Sequence, residues 1–574
     1  MPPASYCIKQ FKHAERVEPD PNSNLSEDSL AVLYDIVWKN QDEGALLFHK
    51  EPVQRDESRL KNVEVPEYMT VLKWEGSASF LDGHGVTGIL VRGTYCRSLW
   101  AIESALWPQR DTTMDVDSDT QYNPFKTNAT FSKSESVEGI IVSGGPGIGK
   151  TLFMVYVLAL CLLARQPVVW QTDSNHVLVF VEEGVFLCPL HWNLPRYIPA
   201  EAFYLIDCNR NCSGGPDHNL ITSLIKSGKG KLLYFASLRY QNMEFTGKEP
   251  LEVQTLFMEQ CTPEDLVCCR LLWDKAVSEQ QIEAFIKLYG CSARNTYLYA
   301  RKLAQFEARI DYPLNKQVLF DALAQTSAAL KSPSKEDRDS HDIFYIEPDT
   351  TDPWTYTIKI HTRHIYDVLM QRLRTLERRA AADLFRMFCS NAKSRACAGF
   401  IIEDWAIGRL RQGGEWRLNT MEVSARRKKN SHWRDVGNGD ECVDTPSFYP
   451  IDKFSYNSSD DGKSEALPKA DGIGIPVKAN QPTFDLFVWL ADEKRAIMVQ
   501  VTVSPSHSIV KEGLAQLKKA GAEHLDLIVV TPALQGESMD VYTDKDDESM
   551  LEHVYHLTVT DGDMEEIPEA VVNL

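Results

Sequence analysis

The stretch Gly139-Ile140-Ile141-Val142-Ser143-Gly144-Gly145-Pro146-Gly147-Ile148-Gly149-Lys150-Thr151 decides how the rest of the chain is read. Ile140, Ile141 and Val142 are apolar and β-branched, the mark of a short buried strand. The last eight residues fit G-x-x-x-x-G-K-[ST], and Leu152 to Ala164 continue as an unbroken apolar run of helical length. Strand, glycine loop and helix in that order predict a phosphate-binding turn. Glycine lets the backbone curl around oxyanions without a Cβ in the way, and the first N–H groups of the helix face the anion. Gly144, Gly145, Pro146, Gly147, Ile148 and Gly149 are therefore expected to cradle phosphates. Lys150 is expected to reach the β- and γ-phosphates, and the Thr151 hydroxyl to bind Mg²⁺.

Downstream, Pro167 to Thr172, His176 to Glu182 and Val185 to Cys188 are short β-rich runs between turn residues, which predict a meander inserted after the loop's helix. Ala202 to Asp207 is an apolar strand ending in an acid, so Asp207 is expected to hold Mg²⁺ through water. Cys208 follows where many hydrolases carry a glutamate base, which predicts slow hydrolysis. Lys231 to Ala236 is a further buried strand and ends at Ser237, a candidate γ-phosphate sensor. Thr262-Pro263-Glu264-Asp265 opens a helical region with an N-cap, a first-turn proline and an acid at the capping-box position. That region runs to about Leu330 and contains Gly290 to Arg294, from which Arg294 is expected to meet the phosphates. Upstream, Asn24 to Trp38 predicts an amphipathic helix, Val86 to Arg92 a strand, Tyr95 to Trp107 a helix and Pro108 to Ser136 a polar loop.

At 574 residues the chain is too long for one core. The net charge of −20 excludes a surface uniformly suited to nucleic acid, but the charge is uneven. Arg363 to Arg434 holds sixteen basic residues against seven acidic ones, a candidate DNA-binding block; Glu537 onward holds twelve acids against Lys545 alone. Thirteen scattered cysteines suit a reducing compartment, no run is long enough to cross a membrane, and Met1 to Pro21 carries no secretory h-region. The nucleus or cytoplasm is the expected location, and Ala425 to Lys429 is a candidate nuclear-import cluster. The expected organisation is residues 1–85 without assigned chemistry, a nucleotide-binding domain at 86–330, a linker at 331–352, a second domain at 353–535 and an acidic tail at 536–574.

A second constellation lies near the end. Ile365 to Phe388 reads as a long helix, Gly399 to Leu410 as a helix carrying Glu403, and Glu415 to Met421 as strand-like. Phe484 to Leu490 and Ile497 to Val503 read as a hairpin, followed by a helix at Ile509 to Ala520 and a strand at Leu525 to Thr531. That layout matches restriction-enzyme-like nucleases. Period-two spacing puts Gln500 and Thr502 on one strand face beside Asp485. Asp485, Gln500 and Glu403 are expected to hold a divalent metal that activates water, with His507 and Lys511 at phosphate. Thr502 stands where such nucleases usually carry lysine, and Gln500, uncharged, stands where an acid binds hard cations better. A zinc alternative rests on Cys188, His191, Cys208 and Cys212.

These pieces resemble, in order, the retrotransposon-hot-spot and Crinkler type effector proteins. The matching residues are Ile89 to Arg92 with Tyr95, Ser143 to Thr151, Asp207, Ser237, Gly290 to Arg294, Ala398 to Glu403, Phe484-Asp485, Gln500 to Val503 and His507. The resemblance implies an α/β chain: a P-loop NTPase domain of AAA/STAND type with a parallel sheet and helical lid, then a PD-(D/E)XK-like α/β nuclease domain. It implies ATP and Mg²⁺ as cofactors, DNA as partner, and secretion toward a host nucleus. No LFLAK-type translocation motif is present at the N-terminus. An ATP-regulated Mg²⁺-dependent DNA nuclease is the first expectation. A non-cleaving DNA-binding switch and a self-associating signalling ATPase are the alternatives.

Overall fold

The structure, a computed structural model, describes residues 7–23, 25–39, 47–56, 63–108, 123–126, 137–171, 175–191, 193–199, 201–207, 230–236, 252–273, 277–311, 340–376, 380–390, 393–426, 430–435, 443–444, 447–448, 451–456, 466–477, 483–504, 506–533, 539–544 and 548–565. It is mixed α/β and divides into two compact units, Met1–Ile365 and Tyr366–Leu574. No helix among the described residues is long and apolar enough to cross a membrane.

The strands of the first unit are β1 (Glu15–Val17), β2 (Phe48–Pro52), β3 (Tyr68–Leu72), β4 (Ile89–Leu90), β5 (Gly139–Ser143), β6 (Val168–Gln171), β7 (His176–Val181), β8 (Gly184–Pro189), β9 (Phe203–Asp207), β10 (Lys231–Phe235), β11 (Val253–Phe257), β12 (Phe344–Pro348) and β13 (Tyr356–Ile360). The main sheet runs β1-β8-β7-β6-β9-β10-β5-β11. From β6 to β11 every pairing is parallel; β6, β7, β8 and β1 pair antiparallel. Parallel strands are buried on both faces, which is why β5, β9 and β10 read as continuous apolar runs. The predicted meander is therefore real, but its first strand also joins the parallel set beside β9.

The helix Lys150–Leu163 is buried along almost its whole length and shares a core with the helices Ser26–Lys39 and Gly93–Leu106. The described residues before 85 thus contribute to the first unit's core and sheet. β1 closes the edge of the main sheet, and Tyr34 donates its hydroxyl to the Val181 carbonyl (2.6 Å). The expected linker at 331–352 contains β12, which pairs with β13 to make a hairpin belonging to the first unit. Alternating apolar residues, Phe344, Ile346, Ile358 and Ile360, bury one face of that hairpin, a signal hidden by the surrounding Asp, Ser and Pro.

The second unit contains β14 (Gly414–Glu415), β15 (Leu418–Arg426), β16 (Asn430–Asp435), β17 (Val443–Asp444), β18 (Ser447–Phe448), β19 (Lys453–Tyr456), β20 (Gly472–Pro476), β21 (Leu486–Leu490), β22 (Arg495–Val501), β23 (Ser506–Ser508), β24 (His524–Pro532), β25 (Asp540–Asp544) and β26 (His553–Val559). Its large sheet follows β19-β20-β21-β22-β24-β26-β15-β16-β25-β23, with β17 beside β15. The hairpin β21–β22 is antiparallel, and β22, β24 and β26 are parallel. The helix Gly399–Gln412 packs against β22 and β24.

Two sequence expectations change here. The long helix at Ile365 to Phe388 is two helices, Arg363–Leu376 and Ala380–Cys389. The stretch 536–574 is not only an acidic tail. β26 sits inside the sheet between β24 and β15, and β25 pairs with β16. Val554 and Val559 are buried on β26, and Val541 on β25, which offsets the surrounding charge.

Candidate functional site

The glycine loop leaves β5 at its carboxyl end and enters the helix Lys150–Leu163. Gly149 is its N-cap with φ +97°, and Gly147 has φ +79°, both in the left-handed region that favours glycine. A Cβ on Gly147 would also come within 2.6 Å of the Arg294 Cβ, and the Arg294 N–H donates to the Gly147 carbonyl (3.4 Å). Arg294, in the helix Ala293–Tyr299, thus packs on the loop.

Lys150 is buried at 4 % exposure, and its Nζ donates to the carbonyls of Gly144 (3.0 Å) and Gly145 (2.7 Å). Burial pulls its pKa down to about 7; Asp207 opposes the shift and Arg294 adds to it. The Thr151 hydroxyl donates to Asp207 Oδ2 at 2.7 Å. Asp207 ends β9, which β10 separates from β5, so the sheet carries the acid to the loop.

Arg92 braces the loop from behind and is 5 % exposed. It donates to the carbonyls of Ile148 (2.8 Å) and Gln260 (2.7 Å) and to Asp265 Oδ2 (2.9 Å). That acid's neighbourhood holds its guanidinium firmly protonated despite burial. Asp265 also completes a capping box with Thr262 at the start of the helix Pro263–Cys269, as the sequence predicts. The Tyr95 hydroxyl donates to the Gly149 carbonyl (3.3 Å). Arg92 and Tyr95 are among the residues that carry the resemblance, but the sequence assigns them no role; the folded loop supplies it. Ser237 lies outside the described residues.

In the second unit Asp485 immediately precedes β21. Its Oδ2 accepts from the Gln500 amide (2.8 Å) and the Val501 N–H (2.6 Å), and its own N–H donates to the Val499 carbonyl (3.0 Å). Burial raises its pKa to about 6, and the Val501 N–H partly offsets this. Asp485 and Gln500 are thus brought together. Glu403 is half-buried on the helix Gly399–Gln412, which packs on β22 and β24.

Thr502 falls beyond the end of β22, and its hydroxyl accepts from the Ser504 N–H (3.1 Å), so the expected strand-face pairing with Gln500 ends in a local turn. His507 lies in β23, with its Nε2 buried and without a hydrogen-bond partner among the described residues; burial lowers its pKa. Lys511 is exposed at the start of the helix Lys511–Ala520.

Among the described residues, one group of three acids and histidines lies at metal-ligand spacing: Asp526, Glu552 and His553. It was not foreseen from sequence. Arg495 already binds Asp526 (2.6 Å) and Glu552 (3.0 Å), so a guanidinium neutralises it. In the zinc alternative, Cys188 is buried with its thiol pushed up to about 12, and the His191 Nδ1 accepts from the Asn193 N–H (3.2 Å). Cys208 and Cys212 lie outside the described residues. From the basic block, Arg386 pairs with Asp383 (3.2 Å) and Arg434 with Asp540 (2.8 Å); Arg427, Lys428 and Lys429 lie outside the described residues. Compared with protein-family models, curated proteins and solved structures, the chain gives no match.

Proposed function

We propose that the first unit is a P-loop NTPase that binds Mg²⁺–ATP, and that the second is a restriction-endonuclease-like unit acting on DNA under its control. The observation that carries the reading is the 2.7 Å bond between the Thr151 hydroxyl and Asp207, at the mouth of a glycine loop that also buries Lys150. Two oxygen ligands at that distance suit a hard cation that keeps several waters. Lys150 now satisfies its donors on loop carbonyls, and a polyphosphate offers the same donors oxyanions instead. With Cys208 after Asp207, hydrolysis is slow and the nucleotide acts as a timer.

For the second unit the support is the Asp485–Gln500 pair on a β-hairpin. Asp485 Oδ1 takes no hydrogen bond among the described residues and is available to a metal. Asp485 with the Gln500 side-chain carbonyl and Glu403 would hold Mg²⁺, which supplies a polarised phosphate and an activated water when bound. Thr502 in place of lysine favours a second reading, a unit that grips DNA without cutting it. Plasmid incubated with the full chain, Mg²⁺ and ATP separates the two. Nicking that is lost in Asp485→Ala supports the nuclease; salt-dependent binding with no nicking supports the switch; nicking equal in both proteins rejects this site.

A further inference from the structure

A cavity of about 350 Å³ in the second unit is lined by no residue of the Asp485–Gln500 site. It lies between the C-terminal turns of the helix Gly399–Gln412, the segment running through β14 into β15, and the end of β26. Trp405 and Trp416 form an aromatic wall, their ring centroids 5.9 Å apart at 38°. Trp416 is 2 % exposed, and its indole N–H is buried with no acceptor among the described residues. Such a donor calls for an explanation, because leaving it unpaired is costly.

Three further polar groups on the cavity lack partners among the described residues. Arg409 is half-buried and makes neither an ion pair nor a hydrogen bond; its guanidinium lies over Gly414, whose Cβ would sit 3.9 Å from Nη2. The side-chain amides of exposed Gln412 and half-buried Asn419 also line it and take no hydrogen bond among the described residues. The cavity's acids leave this donor set intact. Asp563 accepts from the Thr560 N–H (2.7 Å) and hydroxyl (2.6 Å), and Glu415 is exposed, an acceptor for hydroxyl or amine groups.

An aromatic wall, a guanidinium and two amides select a particular chemistry. Indoles favour a flat π-system. A guanidinium favours an oxyanion with two acceptor oxygens. Carboxamides pair bidentately with a base edge that presents a donor beside an acceptor. The volume falls in the range of small-molecule sites and is too small for a duplex. We propose that this cavity binds a single nucleotide, its base against the indoles and amides and its phosphate on Arg409. The site requires neither cleavage at Asp485 nor nucleotide at the glycine loop.

The test is calorimetric titration of adenosine 5′-monophosphate into the full chain, with Arg409→Ala, Arg409→Lys, Asn419→Ala and Lys150→Ala variants. Arg409→Ala is expected to weaken the monophosphate about tenfold or more, as the loss of a charged hydrogen bond does. Arg409→Lys recovers part, Asn419→Ala weakens it independently, and the Arg409-dependent binding persists in Lys150→Ala. No binding by the wild type, or equal binding by wild type and Arg409→Ala, overturns the proposal. Binding lost in Lys150→Ala but kept in Arg409→Ala also overturns it, by assigning the ligand to the glycine loop. A short single strand that displaces the monophosphate identifies an unpaired nucleotide of a chain as the natural ligand; a strand that does not identifies the free mononucleotide.

Discussion

Nucleotide binding at the glycine loop is expected to carry a proton into the protein. In the free chain Lys150 is buried against two carbonyls, which give it hydrogen-bond acceptors but no full counter-charge. Burial brings its pKa from 10.5 to about 7. A polyphosphate placed on the same amine favours the charged form and restores the higher value. At pH 8 roughly nine-tenths of free Lys150 is neutral, so binding takes up about 0.9 proton; at pH 6 it takes up about 0.1. Affinity for Mg²⁺–ATP consequently falls about tenfold for each pH unit above 7, a one-proton slope. Folding carries the opposite sign. The unfolded chain keeps this lysine protonated up to about 10.5 while the free folded chain releases the proton above 7, so stability without nucleotide rises across that window. Calorimetry at pH 8 in two buffers of different ionisation enthalpy measures the uptake directly, with Lys150→Met as the variant that has no amine to protonate. Tight nucleotide binding at pH 8 with no proton taken up would refute the reasoning.

Thr151→Val and Asp207→Asn each are expected to lower Mg²⁺–ATP affinity by about 10–100-fold and to leave metal-free ATP binding nearly unchanged, measured by titration with and without EDTA. Arg92→Ala strands Asp265 and two carbonyls, so it is expected to cost about 3–5 kcal/mol in the chemical unfolding of the first unit; Arg92→Lys recovers only part, because one ammonium cannot serve all three acceptors. With Asp485 raised to about 6, metal-dependent nicking is expected to rise as pH passes upward through 6, when the carboxylate ionises, and an activity flat from pH 5 to about 7.5 counts against Asp485 as ligand.

Local pattern made much of this chain legible. The loop Gly144 to Thr151, the apolar β5, β9 and β10, the capping box at Thr262 and the hairpin holding Asp485 all announce themselves through short-range chemistry. Order within the sheet does not. Nothing in Val168 to Gln171 says that this strand pairs in parallel with β9 as well as antiparallel with β7. Acid counts hid β26, because the acids flank His553–Val559 rather than lie in it, and a count over the whole stretch says nothing about the strand's alternating buried face. Arg92 stayed silent for a related reason. Its value comes from three acceptors between 56 and 173 residues distant in sequence, and no window of practical length contains them.

Thr483 extends that argument to the second unit. It is β-branched yet holds φ +78°, a conformation such residues rarely adopt. The surrounding structure must impose it, and the hydrogen bonds show how. The Thr483 hydroxyl donates to the Val510 carbonyl and accepts from the Val510 N–H (3.0 Å). Two residues on from Thr483 comes Asp485; one on from Val510 comes Lys511, and three before Val510 comes His507. A single threonine therefore locks the segment bearing the acid to the segment bearing the imidazole and the ammonium. That is why the spacing of Asp485, His507 and Lys511 along the chain understated how closely their backbones are tied.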